Sequence, residues 1–226
     1  MCSSDLDFAV KVDPALGLLG VLLEPASILA KAWDQTERIG RRTGTWQPRT
    51  LLVTGAGPIG LLAALLGAQR GFEVHVLDRV TEGRKPELVH ALGAIYHAGE
   101  RSSLDGFAPD VIMECTGAPT LVAAVLGRTA PCGVVCLTGV SAAGRSVEVD
   151  TGGLNRTMVL QNDVVFGTVN ANRAHYQAAA GALAKADPDW LGGLISRRVP
   201  LERWHEALEH RPDDIKVVIE FAGAFG

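Results

Sequence analysis

Aromatic side chains, paired cysteines, clustered basic residues and long uncharged apolar runs are all scarce in this chain, and each scarcity removes a class of protein. Aromatics are 5% of the 226 residues whereas 26 are glycine, a balance that suits a doubly wound sheet with many tight turns better than a β-sandwich. The cysteines, Cys2, Cys115, Cys132 and Cys136, contain no CxxC, so their spacing supports neither a structural zinc site nor a disulfide framework. Small buried thiols in a reducing cytoplasm are the expectation. The net charge is −4, and the arginine pairs Arg41-Arg42 and Arg197-Arg198 suit solvated helix ends, so no nucleic-acid partner is expected. No membrane partner is expected either, because the longest apolar stretch, 15–30, is broken by Glu24 and Pro25. Asp5 and Asp7 carry the wrong sign for a signal peptide. The histidines (His75, His90, His97, His175, His205 and His210) are scattered and form no HExxH or similar ligand pair.

What is present is a regular alternation of apolar segments and turns. Residues 8–12 alternate like a short strand that Asp13-Pro14 ends. Glu24-Pro25 then reads as the opening of a helix, with proline at the first helical position, and Gly44 as its left-handed cap. From Thr50 onward the pattern becomes strand, turn, helix. Strands are expected over 51–53, 73–77, 94–97, 110–114, 133–137 and 164–169, with helices over 59–69, 87–92 and 120–127. Fully apolar strands alternating with helices indicate an α/β fold with a parallel sheet covered on both faces, and right-handed crossovers wind it in the order 3-2-1-4-5-6. After Asn170 come a helix reaching Ala186, another over 201–209 and a last strand over 217–221.

One motif carries chemistry. Gly55-Ala56-Gly57-Pro58-Ile59-Gly60 is a GxGxxG that follows an apolar strand, opens a helix and is followed by Asp78 at the end of the next strand. Gly55 permits the tight turn, Gly57 lets the backbone approach a pyrophosphate, and Gly60 allows close helix–strand packing. The helix N-terminus offers free N–H groups to the anion. Asp78 stands where a carboxylate grips the ribose hydroxyls, which favours NAD; Arg79 beside it reads as an adenine or 2′-phosphate contact or as a solvated loop arginine, so NADP stays open.

Together with these residues, Leu23-Glu24-Pro25-Ala26-Ser27, Lys31-Ala32, Glu114-Cys115-Thr116-Gly117, Leu137-Thr138-Gly139-Val140, Val169-Asn170 and the ending from Asp214 to Phe221 resemble the C-terminal part of zinc-dependent medium-chain dehydrogenases, in particular the glucose 1-dehydrogenase branch. The resemblance runs over nearly the whole chain from Phe8. It implies a Rossmann domain in which Thr116, Thr138, Val140, Thr168 and Val169 line the nicotinamide side of the cleft, Lys216 touches the cofactor, Asn170 reaches sugar hydroxyls and Glu24 is a ligand of catalytic zinc. On the residues alone, Glu24 is also an acid favoured at a helix N-terminus, and Asn170 an ordinary turn asparagine.

The departures from the family pattern shape the expected organisation. Relatives take their other zinc ligands from a preceding β-rich domain, and NADP-preferring relatives place a small residue where Asp78 stands. The string Cys2-Ser3-Ser4-Asp5-Leu6 is also what a common sequencing-library adapter encodes in one frame, so 1–7 is expected to be a non-native or truncated start. Residues 8–45 then read as a remnant strand and linking helix of the catalytic domain, 46–170 as the NAD(P)-binding unit, and 171–226 as closing helices and strand. The implied activity is hydride transfer from the anomeric carbon of a glucose-like aldose to NAD(P)+ with zinc assistance, in a cytoplasmic dimer or tetramer that joins through the edge at 163–170. A chain of this extent would be inactive alone and would expose apolar surface around Leu16–Leu23. Three alternatives stay open: a non-catalytic NAD(P)-binding module acting with a separate chain, another zinc-dependent alcohol or polyol dehydrogenase, and a different Rossmann enzyme such as a methyltransferase.

Overall fold

The structure, a computed structural model, describes residues 9–99, 104–209 and 211–221; the opening 1–7, Phe8 and His210 lie outside them. Six strands, β1 (Thr50–Thr54), β2 (Glu73–Asp78), β3 (Ile95–Ala98), β4 (Val111–Glu114), β5 (Val134–Leu137) and β6 (Val164–Gly167), form one parallel sheet. Their order is β3-β2-β1-β4-β5-β6, the winding expected from the alternation of apolar strands and helices. The crossovers carry α2 (Pro58–Ala68), α3 (Arg84–Ala91), α4 (Pro119–Val125) and α5 (Thr151–Gln161). Alternate side chains of β1 serve opposite faces. Leu51 and Val53 join a large core with α2, while Leu52 joins a smaller one with Leu77, Ile112 and Val135.

Residues 9–45 depart from expectation. No strand forms over 9–12, because alternation needs a neighbouring ladder and none lies beside this segment among the described residues. A 3-10 turn over Pro14–Leu22 comes first, with the Asp13 carboxylate accepting from the Ala15 N–H and Pro14 in the first helical position. The proline-at-the-start rule therefore operates at Pro14. Helix α1 (Leu23–Gly40) begins two residues before Pro25, which falls in its first turn, where a missing N–H costs little. Gly44 adopts the left-handed conformation, φ 71°, after one further 3-10 turn.

Helix α1 packs on α2 and on α6 (Arg173–Leu183), and Leu22, Ala26, Leu29 and Trp33 enter the main core with no exposed area. Trp33 meets Phe72 at 4.9 Å between centroids, and the Arg70 guanidinium lies 4.9 Å over its ring. The helical run Pro14–Thr43 is long and apolar enough to cross a membrane by length and composition, a property hidden when the apolar stretch is ended at Glu24-Pro25. Here 44% of its most apolar window is buried in the protein. Within Leu16–Leu23, Leu16 and Leu22 are buried, Leu18, Leu19 and Leu23 are half-buried and Val21 is exposed.

After β6 the chain adds α6, α7 (Pro188–Leu194), β7 (Ile195–Pro200), a 3-10 stretch Leu201–Leu208 and β8 (Lys216–Glu220), with β7 and β8 paired in parallel as a second sheet. Three of the fold's elements escape the sequence pattern for identifiable reasons. Helix α5 buries no side chain fully and carries Gly152-Gly153 in its first turn, α7 is short and holds Gly192-Gly193, and β7 is interrupted by Arg197-Arg198 and ends in Pro200.

Candidate functional site

The carboxyl ends of the six parallel strands face one side of the sheet, and the strand order reverses direction between β1 and β4. Open α/β sheets bind ligands in the crevice at that point. The Gly55–Gly60 loop lies there. Gly55 sits at φ 92° and its N–H donates to Leu77 O at 2.7 Å, which ties the turn to β2. A Cβ on Gly60 would stand 1.8 Å from Gly55 O, so the first turn of α2 packs against the loop as only glycine allows. A Cβ on Gly57, by contrast, would meet nothing within 4 Å. That glycine faces open space at the N-terminus of α2, an eleven-residue helix with Pro58 in its first position. Ala56 is buried and Ile59 packs against the main core, so these two residues anchor the loop from below.

Asp78 closes the loop's other side. One carboxylate oxygen accepts from Ala56 N–H at 2.6 Å and the other from Val80 N–H at 3.0 Å, leaving lone pairs free on both. Lys85 Nζ stands 3.7 Å from the first oxygen, a partner that sequence reading did not identify because it arrives from the start of α3. Arg79 is exposed beside them. Tyr96 donates to Val80 O at 2.6 Å, and burial, with Asp78 second, pushes its phenol above the usual range.

On the other side of β1, Thr116, Thr138, Val140, Thr168 and Val169 all follow the ends of β4, β5 and β6. Val140 is 86% exposed and Val169 59%, an apolar lip over the crevice. Thr138 Oγ1 donates to Glu114 O at 2.9 Å and lies 3.3 Å from Cys115 Sγ, whose thiol burial pushes up to about 12. Thr168 is buried with no partner for its hydroxyl among the described residues. Asn170 holds φ 60°, a left-handed conformation that asparagine tolerates, and the neighbouring Val169 O accepts from Lys31 Nζ of α1 at 2.8 Å. Lys31 is thus a second residue whose contact is invisible in sequence, 138 positions from its acceptor.

Glu24 is exposed in the first turn of α1, and among the described residues no group of three His, Cys, Asp or Glu side chains gathers as a metal site. Lys216 is not brought to the loop's sheet; it lies on β8 of the second sheet, where its carbonyl accepts from Ser196 Oγ at 3.1 Å. His75 and His97, scattered in sequence, meet across β2 and β3 at 2.8 Å with Glu73 Oε1 3.0 Å from the far nitrogen of His75. Cys115 and Cys132 are half-buried and Cys136 is buried, all as free thiols.

Comparison with known proteins accounts for this arrangement. Residues 17–221 match the family described as Glucose dehydrogenase C-terminus. The chain is 38% identical over 220 residues to a glucose 1-dehydrogenase of Methanocella arvoryzae, covering 93% of this chain and 61% of the relative. It is 37% identical over 221 residues to glucose 1-dehydrogenase 2 of Vulcanisaeta moutnovskia, covering 96% and 63%. The structure of Haloferax mediterranei glucose dehydrogenase in complex with NADP, Zn and gluconolactone superposes with a TM-score of 0.86 at 30% identity, over 94% of this chain and 62% of that one. The chain therefore spans less than two thirds of the length of these relatives. With a doubly wound sheet, a glycine loop at the point where its strand order reverses and a family match over 17–221, this chain belongs to the glucose dehydrogenase C-terminus family.

Proposed function

We propose that the chain binds NAD, with NADP as the competing cofactor, and that it is the cofactor-holding part of an enzyme that oxidises a glucose-like aldose at its anomeric carbon. The observation that carries this reading is the contrast within the glycine loop: Gly60 is filled by protein and Gly57 is open. A pyrophosphate fits beside Gly57 at the N–H end of α2, the ribose on Asp78, and the nicotinamide beyond β1 near Thr116, Thr138, Val140, Thr168 and Val169. When bound, the cofactor supplies a hydride acceptor. The chain's own part is to orient: the Gly55–Gly60 backbone fixes the phosphates, Asp78 the ribose, and the lip of Val140 and Val169 keeps water from the ring. Asn170, held in place by Lys31 through Val169, is the residue we assign to sugar hydroxyls.

Zinc is bound by the Haloferax relative. The described residues here offer Glu24 without a set of three ligands, and a catalytic zinc takes three protein ligands, so no step is assigned to a metal. We read 46–170 as the binding unit, 8–45 and 171–226 as the segments that join it to the catalytic part, and β6, flanked by exposed Val159, Leu160 and Val169, as the edge for self-association in the cytoplasm. The test is calorimetric titration with NAD+ and NADP+, with and without zinc. Saturable NAD+ binding that Asp78→Ala weakens supports the reading; a folded chain that binds neither cofactor overturns it.

A further inference from the structure

Glu114 ends β4 directly beside Thr54 of β1, its register partner, at the point where the strand order reverses, and it is fully buried. The residues around its carboxylate are all donors. Oε1 accepts from Thr116 N–H at 2.8 Å, from Thr54 Oγ1 at 3.3 Å and from the Thr116 hydroxyl; Gly117 N–H reaches Oε1 at 3.2 Å and Oε2 at 3.1 Å. The backbone carbonyl of the same residue accepts from Thr138 N–H, Gly139 N–H and Thr138 Oγ1 at 2.9–3.0 Å. One residue therefore gathers the ends of β1, β4 and β5. Two glycines make room for the arrangement. A Cβ on Gly139 would stand 2.1 Å from Gly117 N and 2.7 Å from Glu114 Oε2, and one on Gly117, at φ 63°, would strike the Val140 backbone.

Burying a carboxylate is costly unless donors surround it, and an acceptor-only group is the one that satisfies such a ring. The carboxylate holds Thr116-Gly117 and the backbone carbonyl holds Thr138-Gly139, both on the β4–β5 side of β1. The Gly55–Gly60 loop and Asp78 are held on the β2 side by separate bonds, Gly55 N–H to Leu77 O and Ala56 N–H to Asp78. The two halves of the crevice are thus tied by different hydrogen bonds, and they touch where Thr116 Cγ2 lies 2.8 Å from the place a Cβ on Gly55 would take. We infer that Glu114 is the positioning residue for the nicotinamide half of the bound dinucleotide, acting through its carboxylate on Thr116-Gly117, and not for the adenosine half. This rests on the cofactor reading above and adds which half the buried carboxylate controls.

In Glu114→Gln the amide nitrogen faces Gly117 N–H or the Thr116 donors, so the loop shifts while side-chain volume is kept. The test titrates the full chain, wild type and variant, with NAD+ and with ADP-ribose, which lacks the nicotinamide, and records a thermal melt of each. NAD+ affinity is expected to fall about tenfold and ADP-ribose affinity to stay within about twofold. Thr54→Val, which removes a single donor and keeps a β-branched shape in β1, is expected to reproduce the selectivity at about two- to threefold and carries the test should the glutamine variant not fold. Equal losses for both ligands, or none in either variant, would show a residue that merely supports the fold and would overturn the inference. Wild-type chain that binds ADP-ribose and NAD+ keeps the cofactor reading standing in that event; failure of wild type to bind either sinks both.

Discussion

Two alanine substitutions, three residues apart in one loop, separate packing from binding. In Gly60→Ala the new methyl overlaps a backbone oxygen, Gly55 O, at 1.8 Å, with Gly55 C at 2.9 Å and Val53 Cγ1 at 3.3 Å. Reaching ordinary contact requires α2 and the loop to part by about 1.5 Å, and neither is a flexible side-chain end. Over-packing of this kind costs about 1–3 kcal/mol, against a gain of at most about 1 kcal/mol from replacing a helical glycine by alanine. With backbone as the obstacle the upper value governs, so a net loss of about 2 kcal/mol is expected, or about 4–8 °C in Tm for a chain of this length. In Gly57→Ala the methyl meets nothing within 4 Å and φ is −81°, so stability is expected to change by less than about 0.5 kcal/mol. The same methyl points into the space assigned to the pyrophosphate, and NAD+ affinity is expected to drop at least about tenfold. Differential scanning calorimetry and NAD+ titration on both variants read the two effects. Gly57→Ala binding NAD+ within twofold of wild type would refute the assignment of that space, whatever Gly60→Ala does.

Three further outcomes follow from named contacts. Asp78→Ala removes the acceptor of Ala56 and Val80 N–H and the charge that opposes a 2′-phosphate; NAD+ affinity should fall about tenfold while the NADP+/NAD+ ratio rises, and an unchanged ratio in competitive titration would remove Asp78 from cofactor choice. His97 has its pKa lowered by burial first and by His75 second, so the folded chain holds it neutral. Its contribution is complete above the ordinary value of 6.5 and is lost as pH falls below it, because the unfolded chain then binds the proton more readily. Melts from pH 8 to 5 should decline below about 6.5, and more shallowly for His97→Gln; identical slopes would show that the His75–His97 contact does not govern acid stability. Trp33→Ala should cost about 3–5 kcal/mol in chemical denaturation, since the ring is fully buried, and a cost below about 1 kcal/mol would mean that α1 is not part of the main core.

The sheet was legible because its strands are short and mostly apolar between turn residues; central β1 and β4, buried on both faces, leave the clearest trace, and edge strand β3 a weaker one. The helices were legible where a face repeats. Where no side chain is fully buried, as in α5, or where length falls to seven residues, as in α7, the periodic signal is absent and the element is fixed by its neighbours. Residues 9–12 show the converse error: alternation records a preference for a strand, and the ladder that would satisfy it has to come from elsewhere in the chain.

Legibility of the site divides along a different line. Gly55, Gly57, Gly60 and Asp78 are recognisable because their spacing is local and each has one mechanical task. Lys31, Lys85 and Glu114 carry no such signal. Lys31 acts on a carbonyl 138 residues away, and Lys85 reaches Asp78 from the next helix. Glu114 reads in sequence as a polar residue that terminates β4, and only the fold shows that Thr54, Thr116 and Gly117 all direct donors at it. Its motif is visible as a string, yet the reason for the acid is that the groups bonded to its side chain among the described residues are donors. A glutamine there would match the strand, the turn and the volume equally well. Which of the two residues is tolerated is decided by hydrogen-bond polarity inside the crevice, so the selectivity between NAD+ and ADP-ribose measures a constraint that pattern and propensity do not contain.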